Sequence, residues 1–327
     1  MLSTDNKTAS ARRAAFNVDV DGLYLYDRIH GHAGGSGNPQ GFDPALQLPT
    51  VWTRGVVRFL DLFARTGVKA TFFVVAQDLG HPEIRAVLAD CVAAGHEIGS
   101  HTFSHPYNLS RMPAENMRVE LDEARDRLAQ ATGQPIVGFR APGYVLSEPL
   151  LEAIAAAGHT YDSSRFPCPA YQGAKAAVIG WYRLRGRPSG SIPEPPAVWF
   201  GRTRPHPVAL ASGCRLLEYP VGVVPGVRWP LIGTSLIVGG RAGWAAIAPL
   251  VARASWLNVE CHGIDLTDHH GDAIPPRLAV QPDQRVPLAR KWPLFVRVVE
   301  SIAASHDVRT LASWAAHDEA AGLADSA

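Results

Sequence analysis

Two histidines four residues apart, His101 and His105 in HTFSH, and two aspartates one residue apart, Asp19 and Asp21 in NVDVD, are the residues whose type and spacing suit chemistry most directly. The i, i+4 spacing stacks two imidazoles on one side of a helical turn, where both can reach one cation. The pair is not decisive alone: among 13 histidines in 327 residues, chance placement yields about half such a pair. A cation held by two imidazoles also needs an oxygen ligand, and Asp21 is the best candidate. Two histidines and one carboxylate leave positions open for water and substrate on Zn2+ or a similar divalent ion. Side chains alternate along an extended segment, so Asp19 and Asp21 lie on the same side. Like charges that close disfavour each other's ionisation. A cation on one and an arginine beside the other would relieve the conflict, whereas a lone DxD after a strand is more often just a turn.

The elements that must position these residues alternate short apolar runs with helical patterns, as in βαβ units around a parallel sheet. Ala14–Val18 is a candidate strand, Val51–Thr66 a helix ended by Gly67, and Ala70–Val75 (ATFFVV) a buried strand. A helix over Pro82–Ala94, a strand at Glu97–Gly99, a helix over Pro113–Thr132 and a strand at Ile136–Phe139 follow. Ser147–Ala157 is a helix and Thr160–Tyr161 a strand. From about Pro167 to Pro207 the rhythm breaks: the stretch is rich in Pro and Gly, carries Trp181, Tyr182, Trp199 and Phe200, and is expected to be an irregular insertion or lid. Alternation resumes with a strand at Leu216–Val221, a helix near Gly243–Ala254, a strand at Trp256–Cys261 and a helix near Leu288–Ala304. A terminal strand and short helix precede a frayed tail, AAGLADSA. Asp19, Asp21, His101, His105, Arg140, Asp162 and His262 each fall at the carboxyl end of a candidate strand. In a (β/α) barrel those ends share one mouth, so residues far apart in the chain are expected to converge.

Composition sets the frame. With 46% hydrophobic and 19% charged residues the chain can bury a sizeable core, and its formal charge is only +1. Lysine and arginine are spread along the chain without the basic stripe of a nucleic-acid binder. Cys91, Cys168, Cys214 and Cys261 lack CxxC spacing, which argues against a disulfide framework or a zinc ribbon. The polar start, MLSTDNKTASARR, has no apolar signal core, and no stretch is expected to be long and apolar enough to span a bilayer. A cytoplasmic location is the resulting expectation.

The ordered set NVDVD (Asn17–Asp21), HTFSH (His101–His105), FRAPG (Phe139–Gly143), YDSS (Tyr161–Ser164) and VECHG (Val259–Gly263) resembles the NodB-homology polysaccharide deacetylases, the fourth family of carbohydrate esterases. ATFFV at Ala70–Val74 and AGHEIGSH at Ala94–His101 match the same family, and the likeness runs in motif order from about Ala14 to Trp314. It implies one catalytic domain over residues 1–327, an α/β, distorted (β/α)7 TIM-like barrel, and metal-dependent hydrolysis of N-acetyl or O-acetyl groups. Asp19 would then be the general base, and Asp21, His101 and His105 the metal ligands. Arg140 would orient or charge-balance Asp19, and His262 would be the general acid. The oxyanion donor would be the Gly143 N–H, where many members carry tyrosine, with Tyr144 one place later. The chain departs from the family at three points. Gly143 replaces that tyrosine, YDSSRFPCP lacks the tryptophan usual near Asp162, and DVD replaces the adjacent aspartates of polymer-active members.

The residue types suit this chemistry on their own. A divalent cation polarises an amide carbonyl and lowers the pKa of water toward ~7, Asp19 can accept the proton, and His262 can protonate the departing nitrogen. The cation and a Gly143 N–H would steady the oxyanion. Glu260 shares a strand side with His262, and either Glu260 or Asp162 could orient the imidazole. His96, His159, His269 and His270 have no assignable partners. Trp181, Tyr182, Trp199 and Phe200 suit packing better than sugar platforms, and Cys261 suits buried packing. Zinc is the first expectation for the metal, and cobalt, iron(II) and nickel suit the same ligands. The substrate expected is an N-acetylated amino sugar in a small-molecule glycoside or on a carrier, with no nucleic-acid partner and the oligomeric state open. The alternatives are a deformylase or other small-amide (cyclic imide) hydrolase, or, from another class, a carbohydrate-binding protein on an inactive barrel. The complete ligand and acid–base set argues against the last.

Overall fold

In the computed structural model, residues 12–29, 44–186 and 192–323 are described. The polar N-terminal run through residue 11 and the last four residues of the expected frayed tail lie outside them. The first strand, β1 (Arg13–Val20), is buried along nearly its whole length, as expected for a parallel strand covered on both faces. Helix α1 (Leu23–Ile29) follows it. A π-helical stretch, Val51–Val56, runs directly into α2 (Val57–Thr66), which ends at Gly67 in the left-handed conformation (φ 69°). Next come β2 (Thr71–Val74), α3 (Pro82–Ala93), β3 (Glu97–Ser100) and α4 (Ala114–Thr132). They are followed by β4 (Gly138–Phe139), α5 (Glu148–Ala156, with the Ser147 hydroxyl accepting from the Leu150 N–H) and β5 (Tyr161–Asp162).

Within the segment expected to be irregular, one long stretch is regular. Pro169–Leu184 is a regular helix, α6, with proline in its first turn and the Cys168 side chain capping the Tyr171 N–H. Gly173 and Gly180 look like breakers in the sequence, but their cost in a helix interior is only about 1 kcal/mol each, and the cap and the proline start offset it. Short α7 (Pro196–Trp199) and β6 (His206–Pro207) complete the insertion. The chain continues through β7 (Leu217–Glu218) and a small hairpin of β8 (Val223–Val224) and β9 (Trp229–Pro230). Then come α8 (Gly233–Val251), β10 (Trp256–His262), α9 (Leu288–Ala303), β11 (Asp307–Val308) and α10 (Leu311–Ala320).

Helix α8 corrects two expectations. It starts at Gly233 but is kinked at Gly240 (φ 58°, ψ −157°), so the part over residues 241–251 is the helix expected near Gly243–Ala254 and the turns before the kink are the addition. Taken together its 19 residues are long and apolar enough for a bilayer span by length and composition. Leu236, Ile237, Trp244 and Val251 nevertheless point into the barrel core, so one face of the helix packs on the sheet.

Seven parallel strands form the sheet in the order β10-β1-β2-β3-β4-β5-β7, with β6 antiparallel at the edge and β11 pairing with the start of β1. The sheet curls into a distorted barrel whose last seam is stitched rather than laddered. The Gly222 N–H donates to the Asn258 carbonyl at 2.7 Å, and Ile232 bridges to Glu260. A Cβ at Gly222 would lie 2.2 Å from the Asn258 carbonyl oxygen, so only glycine lets the two backbones meet there. The curl brings the carboxyl ends of β1, β3, β4 and β10 to one mouth.

Candidate active site

Alternation along the strands decides which side chains enter the barrel. On β1, Asn17 and Asp19 point inward, and on β10 so do Asn258, Glu260 and the end residue His262; the first four are buried. The Arg140 guanidinium, also fully buried, joins the two strands to β5. It donates to Asp19 Oδ1 at 2.6 Å, to Asn17 Oδ1 at 2.6 Å, and to the carbonyl and hydroxyl oxygens of Ser163, each at 2.7 Å. Its plane lies 4.3 Å from the Phe73 ring centroid. The relief imagined for Asp19 is therefore present: a fixed cation holds one carboxylate oxygen.

Asp21, just beyond β1, meets His101 and His105. Its Oδ1 lies 3.5 Å from His101 Nε2 and 3.6 Å from His105 Nε2. Those separations are too long for strong hydrogen bonds, and Asp21 Oδ1 has no hydrogen-bond partner among the described residues. They do match the spacing of ligand atoms about a tetrahedral ion with bonds of about 2.0–2.1 Å, which is about 3.4 Å. The tautomer fits as well. His101 Nδ1 lies 2.8 Å from the Arg140 carbonyl, which can only accept, so the proton sits on Nδ1 and the Nε2 lone pair faces Asp21. Burial and the neighbouring His101 push the His105 imidazole well below its ordinary pKa, toward the neutral form a ligand needs. Burial lifts the Asp21 carboxyl above the usual range, with the nearby Asp19 and Glu260 carboxylates adding to the rise. The three residues fit a divalent cation.

The HTFSH spacing places both imidazoles correctly, but not on a helix. After β3 the chain turns back in a loop whose Thr102 and His105 have positive φ (67° and 56°), and the His105 N–H donates to the Thr102 hydroxyl at 2.9 Å. The rings meet edge to face at 4.7 Å. Such backbone strain outside glycine clusters where side chains must be aimed, and Tyr144 (φ 65°) adds a third case at the same mouth.

His262 stands opposite. Its Nδ1 is 2.8 Å from Glu260 Oε1, and its Nε2 faces Asp21 Oδ2 at 3.9 Å. Burial opposes a charged ring, but the Glu260, Asp19 and Asp21 carboxylates together outweigh it, Glu260 most, and the imidazole is lifted well above its ordinary value. The choice left open by sequence falls to Glu260. Asp162 sits elsewhere: its oxygens take the Ser164 hydroxyl at 2.6 Å and the Ser164 N–H at 3.2 Å, its carboxyl meets that of buried Glu218, and it does not line the cavity at the mouth. Ser164 passes that anchorage to the site, its hydroxyl accepting from the Ala141 N–H at 2.7 Å.

Gly143 and Tyr144 both line the cavity at this mouth, whose volume is ≈ 270 Å³. The Tyr144 N–H is committed to the Ala141 carbonyl at 3.0 Å, which leaves Gly143, at φ 63°, as the one of the two suited to an oxyanion. Tyr107, Tyr171, Lys175 and Ile179 also line the cavity and were missed by sequence reasoning. Lys175 donates to the Gly143 carbonyl at 2.9 Å, and burial draws its pKa down to about 8. Asn17 and Asn258, paired at 2.5 Å inside the barrel, were missed too. The signal for them was there: Asn17-x-Asp19 and Asn258-x-Glu260-x-His262 repeat with the period of one strand face.

Residues 42–161 match the family model described as polysaccharide deacetylase. Over 98 residues the chain is 34% identical to a chitin deacetylase of Arthroderma benhamiae, a match that takes in 29% of this chain and 26% of that protein. Across four curated relatives, this one included, the chain spans between 23% and 48% of their length. Among solved structures it superposes on a probable polysaccharide deacetylase from Pseudomonas aeruginosa PAO1 with a TM-score of 0.59 and 19% identity, covering 95% of this chain and 92% of that one. It also superposes on Puue allantoinase with a TM-score of 0.60 and 16% identity, covering 96% and 92%. At such identities the structural likeness speaks for the barrel alone.

Proposed function

We propose that this chain, which is similar to the polysaccharide deacetylases over residues 42–161, is a metal-dependent N-deacetylase acting on an N-acetylated amino sugar in a small glycoside or carrier-linked molecule. The observation that carries the reading is the meeting of Asp21, His101 and His105 opposite the Asp19–Arg140 and His262–Glu260 pairs, all at one mouth. Asp21, His101 and His105 would hold the ion, with zinc as the first candidate. Bound there, it would supply Lewis-acid polarisation of the acyl carbonyl and a lowered pKa for water.

The chain's own groups then divide the work. Asp19, fixed by Arg140, accepts the proton of the attacking water as the new C–O bond forms. The Gly143 N–H donates to the carbonyl oxygen as it gains charge. His262, held protonated by Glu260, delivers a proton from Nε2 to the nitrogen as the C–N bond breaks, so an amine and acetate leave. A small substrate is supported by α6, whose Lys175 and Ile179 wall one side of the cavity where a polymer groove would run on. The same confined cavity also suits a small cyclic amide or a formamide, which keeps that second reading in view. Chelated and metal-reconstituted protein should be offered a panel of N-acetylated amino sugars, a formylated analogue and a cyclic imide. Metal-dependent acetate release supports the proposal. Formate release or ring opening alone would replace it with the alternative, and no turnover of any member would remove it.

A further inference from the structure

Helix α6 is turned inside out for a soluble helix. Of its 16 residues only Gln172 and Ile179 are buried. Ala170, Ala174, Ala177, Val178, Trp181 and Leu184 are exposed at the i, i+4, i+7, i+8, i+11 and i+14 positions of one face. Val178 is 49% exposed, Trp181 53% and Leu184 85%. The stripe is continuous with the catalytic mouth, because Ala174 and Val178 also line that cavity. Exposed Arg183 and Arg185 flank its far end, with the Arg185 guanidinium 4.1 Å from the Trp181 ring centroid.

Charge is distributed to match. Residues 165–230 carry nine lysines and arginines against two acids, a net +7, while the remainder of the chain is −6. Both acids, Glu194 and Glu218, are buried. The even spread of basic residues inferred from the sequence therefore hides a strongly cationic stretch that contains the insertion. A solvent-facing apolar stripe with an interfacial tryptophan, rimmed by arginine and free of exposed acid, suits the boundary of an anionic bilayer. There the rings and alkyl groups enter the acyl region while the guanidiniums pair with phosphates. A soluble polyanion would use the arginines but leave Trp181 and Leu184 in water.

We propose that α6 docks this protein peripherally on an anionic membrane surface, with the catalytic mouth opening beside the docked helix. The test uses the full chain and sedimentation with vesicles of phosphatidylcholine alone or mixed with phosphatidylglycerol. Binding is expected only to the anionic vesicles and should weaken as salt rises. Trp181→Ser with Leu184→Ser, and separately Arg183→Glu with Arg185→Glu, should each weaken it at least about tenfold. Val238→Ser with Leu250→Ser, at exposed apolar positions on α8, should leave it unchanged. No binding to anionic vesicles by the unaltered chain overturns the proposal. So does binding that ignores the Trp181/Leu184 change, which would indicate a plain polyanion site, or binding lost through the α8 pair instead. Vesicle binding is measured without turnover, so its failure leaves the deacetylase reading standing, and an inactive enzyme leaves this result standing.

Discussion

Replacing Arg140 by leucine removes a fully buried guanidinium that serves Asp19, Asn17 and both oxygens of Ser163. The Asp19 carboxylate, 1% exposed, would be left as an uncompensated buried charge. Breaking one partner of such a pair costs about 3–5 kcal/mol. Asp19→Asn keeps the shape but strands the buried Arg140 guanidinium without its counter-charge, a loss of the same order, about 3–5 kcal/mol at most. If the two groups act on each other as the 2.6 Å contact implies, the double variant should lose less than the sum, because no stranded charge remains. A coupling of about 2 kcal/mol is expected, within the usual range for residues that share one network. Urea unfolding of the chelated protein, for the parent, each single variant and the double, measures it free of any contribution from bound metal. Additive losses, with a coupling indistinguishable from zero, would refute the claim that Arg140 is there to hold the Asp19 charge.

Other outcomes follow from the same geometry. His101→Ala should abolish stoichiometric metal binding, whereas Asp19→Asn should retain the metal and lose about 10²–10⁴-fold in kcat; metal analysis beside kinetics checks both, and a near-normal kcat for Asp19→Asn would remove its role as base. His262→Ala should slow amide hydrolysis far more than hydrolysis of an activated ester, whose leaving group needs no proton, and equal losses on both substrates would rule against an acid at this position. Glu260→Gln should lower the pKa of the alkaline limb in the same amide assay, where activity is lost as the acid deprotonates, since the carboxylate at 2.8 Å is what keeps His262 protonated. His159 provides a stability test: burial, aided by Arg125, lowers its folded pKa to about 3. Between that value and about 6.5 the unfolded chain binds the extra proton, so the contribution is complete above about pH 6.5 and falls by up to about 1.4 kcal/mol per unit as pH drops toward 3. His159→Leu should flatten the dependence of unfolding free energy on pH below 6.5 by about one proton, and an unchanged slope would contradict a buried, neutral His159.

What the sequence by itself determined was the set of strand ends and the residue types placed on them. Periodicity is local: a run such as RAAFNVDV or WLNVECH declares both its strand and the face each side chain takes, so Asp19, Asp21, His101, His105, Arg140 and His262 could be assigned to one mouth before any coordinates. The same logic located the helices closed by Gly67 and Gly133. Tertiary structure alone decided which carboxylate holds His262, because Glu260 and Asp162 are equally plausible along the chain and differ only in where the curled sheet carries them. It also decided the backbone of HTFSH, where reaching a common ion outweighed helical spacing, and the seam at Gly222. The helix in the insertion was hidden for a related reason. An amphipathic pattern is recognised by its buried face, and α6 keeps almost nothing buried, so its regularity emerges only when its capping and its exposed stripe are seen together.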